Sequence, residues 1–210
     1  FTRELVRSFD PDLVATNPEK AVLSQPVLTD AAKKIGKQLD KGYVGRVFTP
    51  DQAFINKLNA IYNDARYNIP QGTDDYKNVM NFFSVIGRNI KPIYGPVVTP
   101  QGIRRGVVGY KPIQGEWLQG LTNNDSPIGN AINSGTYAGK FAKRVRKEFD
   151  DFVDQNIRPR PLPPNPTMQQ AAQYARELAD YNEFYGAKQR YKDLMVAQDL
   201  YNKNGNVAGM

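Results

Sequence analysis

Residues 158–166 read Arg-Pro-Arg-Pro-Leu-Pro-Pro-Asn-Pro. Proline lacks a backbone N–H, and its ring clashes with the preceding helical turn, so this run is neither a helix nor a central strand. It must be extended, near polyproline II, and it divides the chain. It reads as a stiff spacer; the alternative is a ligand for a proline-binding groove. Thr167 and Gln170 follow directly and match a capping box, which predicts a helix over 168–202. Within it Tyr174, Leu178, Tyr181 and Tyr185 are spaced like a heptad seam. The stripe then shifts to Phe184, Ala187, Tyr191, Leu194 and Tyr201. Tyrosine has a flat apolar body and a polar tip, which suits interfaces. Tyr174, Tyr181 and Tyr185 are therefore candidate partner-binding residues, with burial in a core as the other reading.

Charge is concentrated upstream of the spacer. Arg88 to Lys147 holds ten basic residues against Glu116 and Asp125, an excess of eight, while the whole chain carries +7. Concentrated positive charge favours an acidic partner. Two clusters stand out as candidate contacts. Arg104 and Arg105 lie between Tyr94 and Tyr110, where guanidinium groups suit bidentate pairing with carboxylate or phosphate. Lys140, Lys143, Arg144, Arg146 and Lys147 crowd the first half of a helix expected over 136–156. Glu148, Asp150, Asp151 and Asp154 follow them, an order that opposes the helix dipole.

The remaining pattern is mainly α. Helices are expected over 2–9, 30–41, 50–68 and 73–86, with Thr49-Pro50-Asp51-Gln52 as a capping box and Thr73 as a second N-cap. Phe54, Leu58 and Ile61 form one apolar stripe, and Tyr76, Val79, Met80 and Phe83 another. Tyr137, Phe141, Val145, Phe149 and Phe152 line one face of the 136–156 helix. Residues 10–29, with Pro11, Pro18 and Pro26, read as an extended arm. Residues 89–125 carry Pro or Gly every few positions and read as a long irregular segment. One short β-hairpin is expected near 97–110, pairing Val97–Thr99 with Gly106–Tyr110. Four parts result: an arm (1–29), a helical domain with an irregular basic middle (30–157), the spacer (158–166), and a long helix with a tail (167–210).

Several chemistries are excluded. The chain has no Cys and no His, so disulfides, thiolate metal sites and Ser-His or Cys-His nucleophilic systems cannot be built. No cofactor or metal is expected. The acidic run 148–154 lacks the oxygen-rich loop of a calcium site and reads as a solvated face. Glu116 beside Trp117 is the one residue considered as a general acid with a raised pKa; an ordinary Glu beside a buried Trp is the preferred reading. The glycines at 102, 106 and 109 match neither a P-loop nor a dinucleotide fingerprint. No apolar run is long enough to span a membrane. The chain begins Phe1-Thr2-Arg3, which reads as processed or trimmed. The compartment stays open, since a Cys-free chain suits any redox state.

A basic, mainly helical chain with an arm, an irregular middle and tyrosine-rich helices has the character of an assembly protein. In composition it resembles the linker polypeptides of light-harvesting phycobilisomes, in plastids or on thylakoids, and also virion-associated proteins of bacteriophages. That resemblance carries no motif and assigns no residue a role. It implies a non-enzymatic protein that binds acidic subunits of a large complex. A nucleic-acid-binding protein is the alternative, on the basic patch with aromatics.

Overall fold

The computed structural model describes residues 2–122, 126–133 and 136–205. Among the described residues helices predominate, so the fold is mainly α with a small antiparallel hairpin. The chain divides into two compact units, residues 43–157 and residues 1–42 together with 158–210.

The unit of 43–157 is built around an aromatic core. Its elements are β1 (Val47–Phe48), α4 (Gln52–Asn68), α5 (Asp74–Asn89), β2 (Pro92–Thr99), β3 (Gly102–Tyr110), β4 (Ile113–Gln114), α6 (Gly115–Thr122), α7 (Pro127–Asn133) and α8 (Tyr137–Ile157). Helix α8 packs against α4, α5, α6 and α7. Its buried stripe is Phe141, Val145, Phe149 and Phe152, while Tyr137 at the head of that stripe stays 48% exposed. Phe54 of α4 stacks on Phe152 at 4.2 Å and meets Phe149 edge-on at 5.2 Å. Such offset and T-shaped pairs add about 0.5–1.5 kcal/mol beyond area burial. Strands β1 and β4 pair Val47 with Gln114 and Phe48 with Ile113. Any side chain at Gly115 would collide with the Tyr43 carbonyl oxygen, so only glycine allows that approach.

Two local expectations for this unit shift. The α4 N-cap is Asp51 rather than Thr49: its carboxylate accepts from Phe54 N at 2.7 Å. Asp is at least as good a cap as Thr, and the later start leaves Pro50 buried. Thr73 does cap α5, accepting from Tyr76 N at 3.2 Å. The buried face of α5 is Val79, Phe82 and Ile86, turned from the expected stripe, with Met80 and Phe83 only half-buried.

The second unit holds α1 (Thr2–Phe9), α2 (Pro11–Thr16), α3 (Gln25–Asp40) and α9 (Met168–Gly205). Residues 1–29 are thus largely helical, not an extended arm. Asp10-Pro11, read as the start of the extended stretch, starts a helix: Asp10 accepts from Leu13 N at 3.2 Å and Pro11 takes the first turn, where no N–H is needed. Helix α3 also opens with a proline in its first turn, Pro26 after Ser24 at the N-cap position, five residues before the expected start. The 4% exposed Asp10 is also paired with Lys34 Nζ at 3.0 Å, which satisfies a carboxylate otherwise costly to bury. Val6, Phe9, Val14, Leu28, Ala31 and Ile35 pack with Leu194 and Ala197 of α9. The capping box at α9 is reciprocal: Gln170 N donates to Thr167 Oγ1 at 3.2 Å, and Thr167 N to Gln170 Oε1 at 2.8 Å. The helix continues through Gly186.

Candidate interaction surface

Strands β2 and β3 turn the expected irregular middle into a long hairpin. The register runs from Thr99↔Gly102 to Pro92↔Tyr110, around a two-residue turn at Pro100-Gln101. Val97 therefore pairs with Arg104, not with residues 106–110 as expected. The prolines and glycines that suggested irregular chain have strand-compatible places. Pro92 is the first strand residue, and Pro96 sits opposite Arg105. Gly95 and Gly106 face each other, and the slot they leave is filled by Val108 and Val97. Gly102, at φ +112°, occupies backbone space that other residues avoid. A register shift follows between Ile93 and Tyr94, which marks a bulge.

Side chains alternate across this ribbon. Tyr94, Pro96, Val98, Ile103, Arg105 and Val107 share one face, and all six are exposed. Val98 is 81% and Ile103 74% open. Arg105 lies over the Tyr94 ring at 5.6 Å. Arg104 points to the opposite face, beside Val97, so the two arginines are not one patch. Arg88, Lys91 and Lys111 flank the ribbon at its base, and residues 88–111 contain no acidic residue. Among the described residues none of these five cations has an ion pair. Behind the base, Ile55, Leu58, Tyr62, Phe83, Ile90 and Tyr110 line an open apolar cleft of about 420 Å³.

The second basic cluster is dispersed by its own unit. Arg144 is paired with Asp64 of α4 and lies over the Phe141 ring at 5.5 Å. That guanidinium holds the Asp64 carboxyl below its usual value. Lys147 donates to Asp151 at 2.8 Å, and its pKa is raised by that bond. Arg146 is half-buried and acts on the Tyr43 phenol. Lys140 sits over the Tyr137 ring at 5.0 Å, and Lys143 is exposed. Lys57 Nζ lies 3.2 Å from Glu148 Oε2, an ion pair that lacks hydrogen-bond alignment. Among the described residues no group of three or more carboxylates is placed to hold a metal.

Glu116 behaves opposite to the general-acid reading. It accepts from Gly45 N at 2.9 Å and from its own N–H at the start of α6, and these bonds lower its pKa. Trp117 is half-buried and meets Phe149 edge-on at 6.4 Å. Along α9, Tyr181 and Tyr185 are stacked at 6.2 Å; Tyr174 and Tyr181 are half-buried and Tyr185 is 49% exposed. Among the described residues no helix is long and apolar enough to cross a membrane.

No family model, no curated protein and no solved structure matches this chain.

Proposed function

We propose that this chain is a non-enzymatic assembly protein whose basic β2–β3 hairpin docks on an acidic partner subunit of a larger complex. The observation that carries the reading is the hairpin itself. It has an open apolar face, cations on both faces, and no carboxylate in its own segment. A two-stranded ribbon alone is marginal in water, so a surface of this kind gains most of its order from a partner. Charge complementarity then sets encounter rate and specificity. Phycobilisome linkers and virion proteins remain likenesses of character only.

The test is the chain isolated with its native partners, compared with the Arg104→Glu/Arg105→Glu variant. Mass spectrometry of the wild-type complex should find a stoichiometric acidic protein, and the variant should lose it while keeping its helical circular dichroism. Retention of the protein by the variant sinks the reading.

The second reading is nucleic-acid binding. It is favoured by the shape of the ribbon, since a two-stranded β-ribbon fits the major groove. Its mark is an affinity that falls linearly with log salt, with a slope set by the phosphates neutralised.

A further inference from the structure

The two edges of the hairpin are unequal. Strands β2 and β3 form a two-stranded sheet, so among the described residues each has one edge with no neighbouring strand. In an antiparallel ladder, hydrogen-bonded and non-hydrogen-bonded pairs alternate. Pro96 has no N–H, so the Pro96↔Arg105 pair is a non-bonded one. Alternation makes Val98↔Ile103 and Tyr94↔Val107 non-bonded pairs too. The closing pair Thr99↔Gly102 is then a bonded one, as a two-residue turn requires. The N–H groups of Ile103, Arg105 and Val107 therefore point away from β2, along the outer edge of β3.

The β2 edge is protected. Pro96 removes its middle donor, and Pro92 begins the strand. Proline and bulges are the devices that block strand addition at an edge. The β3 edge has no proline: residues 102–110 contain neither Pro nor an acidic side chain, and its one irregularity is the extra residue Val108 near the base, between the Gly109 and Val107 pairs. Gly102 to Arg105 and Val107 are exposed and Gly106 is half-buried; Arg104 and Arg105 flank this stretch, with Lys111 just beyond.

We propose that the regular part of the β3 edge, Gly102–Val107, accepts an extended acidic segment of the partner as a third strand. This rests on the proposed assembly function and specifies its chemistry. Main-chain bonds to Ile103, Arg105 and Val107 give the strand its register. Two adjacent carboxylates, one on each face of the added strand, pair with Arg104 and Arg105, while apolar side chains on the Arg105 face cover Val107 and Ile103. A second copy of β3 is a poor occupant, because it would bring Arg104 and Arg105 against their own counterparts. Like charges across strands are destabilising.

The experiment uses the full chain and a fluorescent Val-rich peptide with a central Glu-Glu pair, about as long as the Gly102–Val107 edge. The peptide should bind, and the amide I infrared band should gain β-sheet intensity. The same peptide N-methylated at alternate residues keeps its side chains but cannot pair by main chain, and should not bind. Val107→Pro removes an outward donor without touching the β2–β3 ladder and should weaken binding about tenfold or more. Val107→Thr should leave binding nearly unchanged. Equal binding of the N-methylated peptide overturns the edge proposal. The assembly reading then survives only if the Arg104→Glu/Arg105→Glu variant still loses its native partner. Binding of a Lys-for-Glu peptide, or of duplex DNA in place of the acidic peptide, overturns the acidic partner. A concentration-dependent dimer that Val107→Pro abolishes makes a second copy the occupant and overturns the proposal.

Discussion

The Arg158 guanidinium lies 5.6 Å above the Tyr181 ring and donates to its hydroxyl at 3.2 Å. From Arg158 to Pro166 a polyproline II segment reaches about 25 Å. From Met168 to Tyr181 a helix rises about 20 Å. The two lengths nearly match, and the pieces join at Thr167. The proline run therefore doubles back along the first turns of α9. Exposure agrees: from 168 to 182 only Tyr174, Leu178 and Tyr181 are half-buried, one stripe on an otherwise open helix. The segment holds no helix or strand, as its prolines require, and its first residue, Arg158, returns to the helix that follows it.

A double-mutant cycle on Arg158→Ala and Tyr181→Ala should give a coupling of about 0.5–1 kcal/mol in urea unfolding, the range for an exposed cation–π pair. Either variant should also speed proteolysis within 158–166. A coupling of zero with unchanged cleavage would show that the segment does not rest on α9.

The Tyr43 phenol supplies a pH dependence. It is 7% exposed, and burial pushes its pKa far above the ordinary 10.0; Asp150 pushes the same way and Arg146 opposes. Below pH 10.0 the phenol is neutral in both folded and unfolded chains, and the stability tied to it is fully present. Above that value the unfolded chain ionises while the folded chain does not, so stability falls as pH rises. Tyr43→Phe should flatten this alkaline limb. Urea midpoints at neutral pH should differ little between the two proteins, and the gap should widen in the variant's favour above pH 10.0. Parallel curves for the two proteins would show that Tyr43 ionises freely when folded.

Local signals were the legible part of the fold. The caps at Thr73 and Thr167 and the stripe from Phe141 to Phe152 follow from spacing and hydrogen-bonding capacity alone. Proline was the main source of error. Asp10-Pro11 and Pro26 begin helices, and Pro92 and Pro96 sit where a hairpin needs no inward donor. Position within an element decides what a proline does, and that position depends on pairing the local sequence does not contain. The charge clusters were legible as composition but not as surface. Arg144 meets Asp64 eighty residues away, and Lys147 meets Asp151, whereas Arg104 and Arg105 keep no ion pair among the described residues. An ion pair across that distance leaves no periodic trace.

The last test concerns the C-terminal half of α9. Leu194 is fully buried and packs with Val6, Phe9, Leu28 and Ile35. Three sequence-distant segments thus share one core, so α9 is part of a folded unit and not a detachable extension. Leu194→Ala removes buried methyls and leaves a cavity, which should cost about 2–5 kcal/mol. Lys192→Ala, two positions away on the exposed side of the same helix, should change stability by about 0.5 kcal/mol or less. Deleting 167–210 takes the same support away entirely. The shortened chain should expose Val6, Phe9, Leu28 and Ile35 and associate on size exclusion. Nuclear magnetic resonance should still find the Phe54, Phe149 and Phe152 rings packed, because their core lies within residues 43–157. A monomeric fragment with residues 2–40 still helical would show that α1 and α3 hold together without α9.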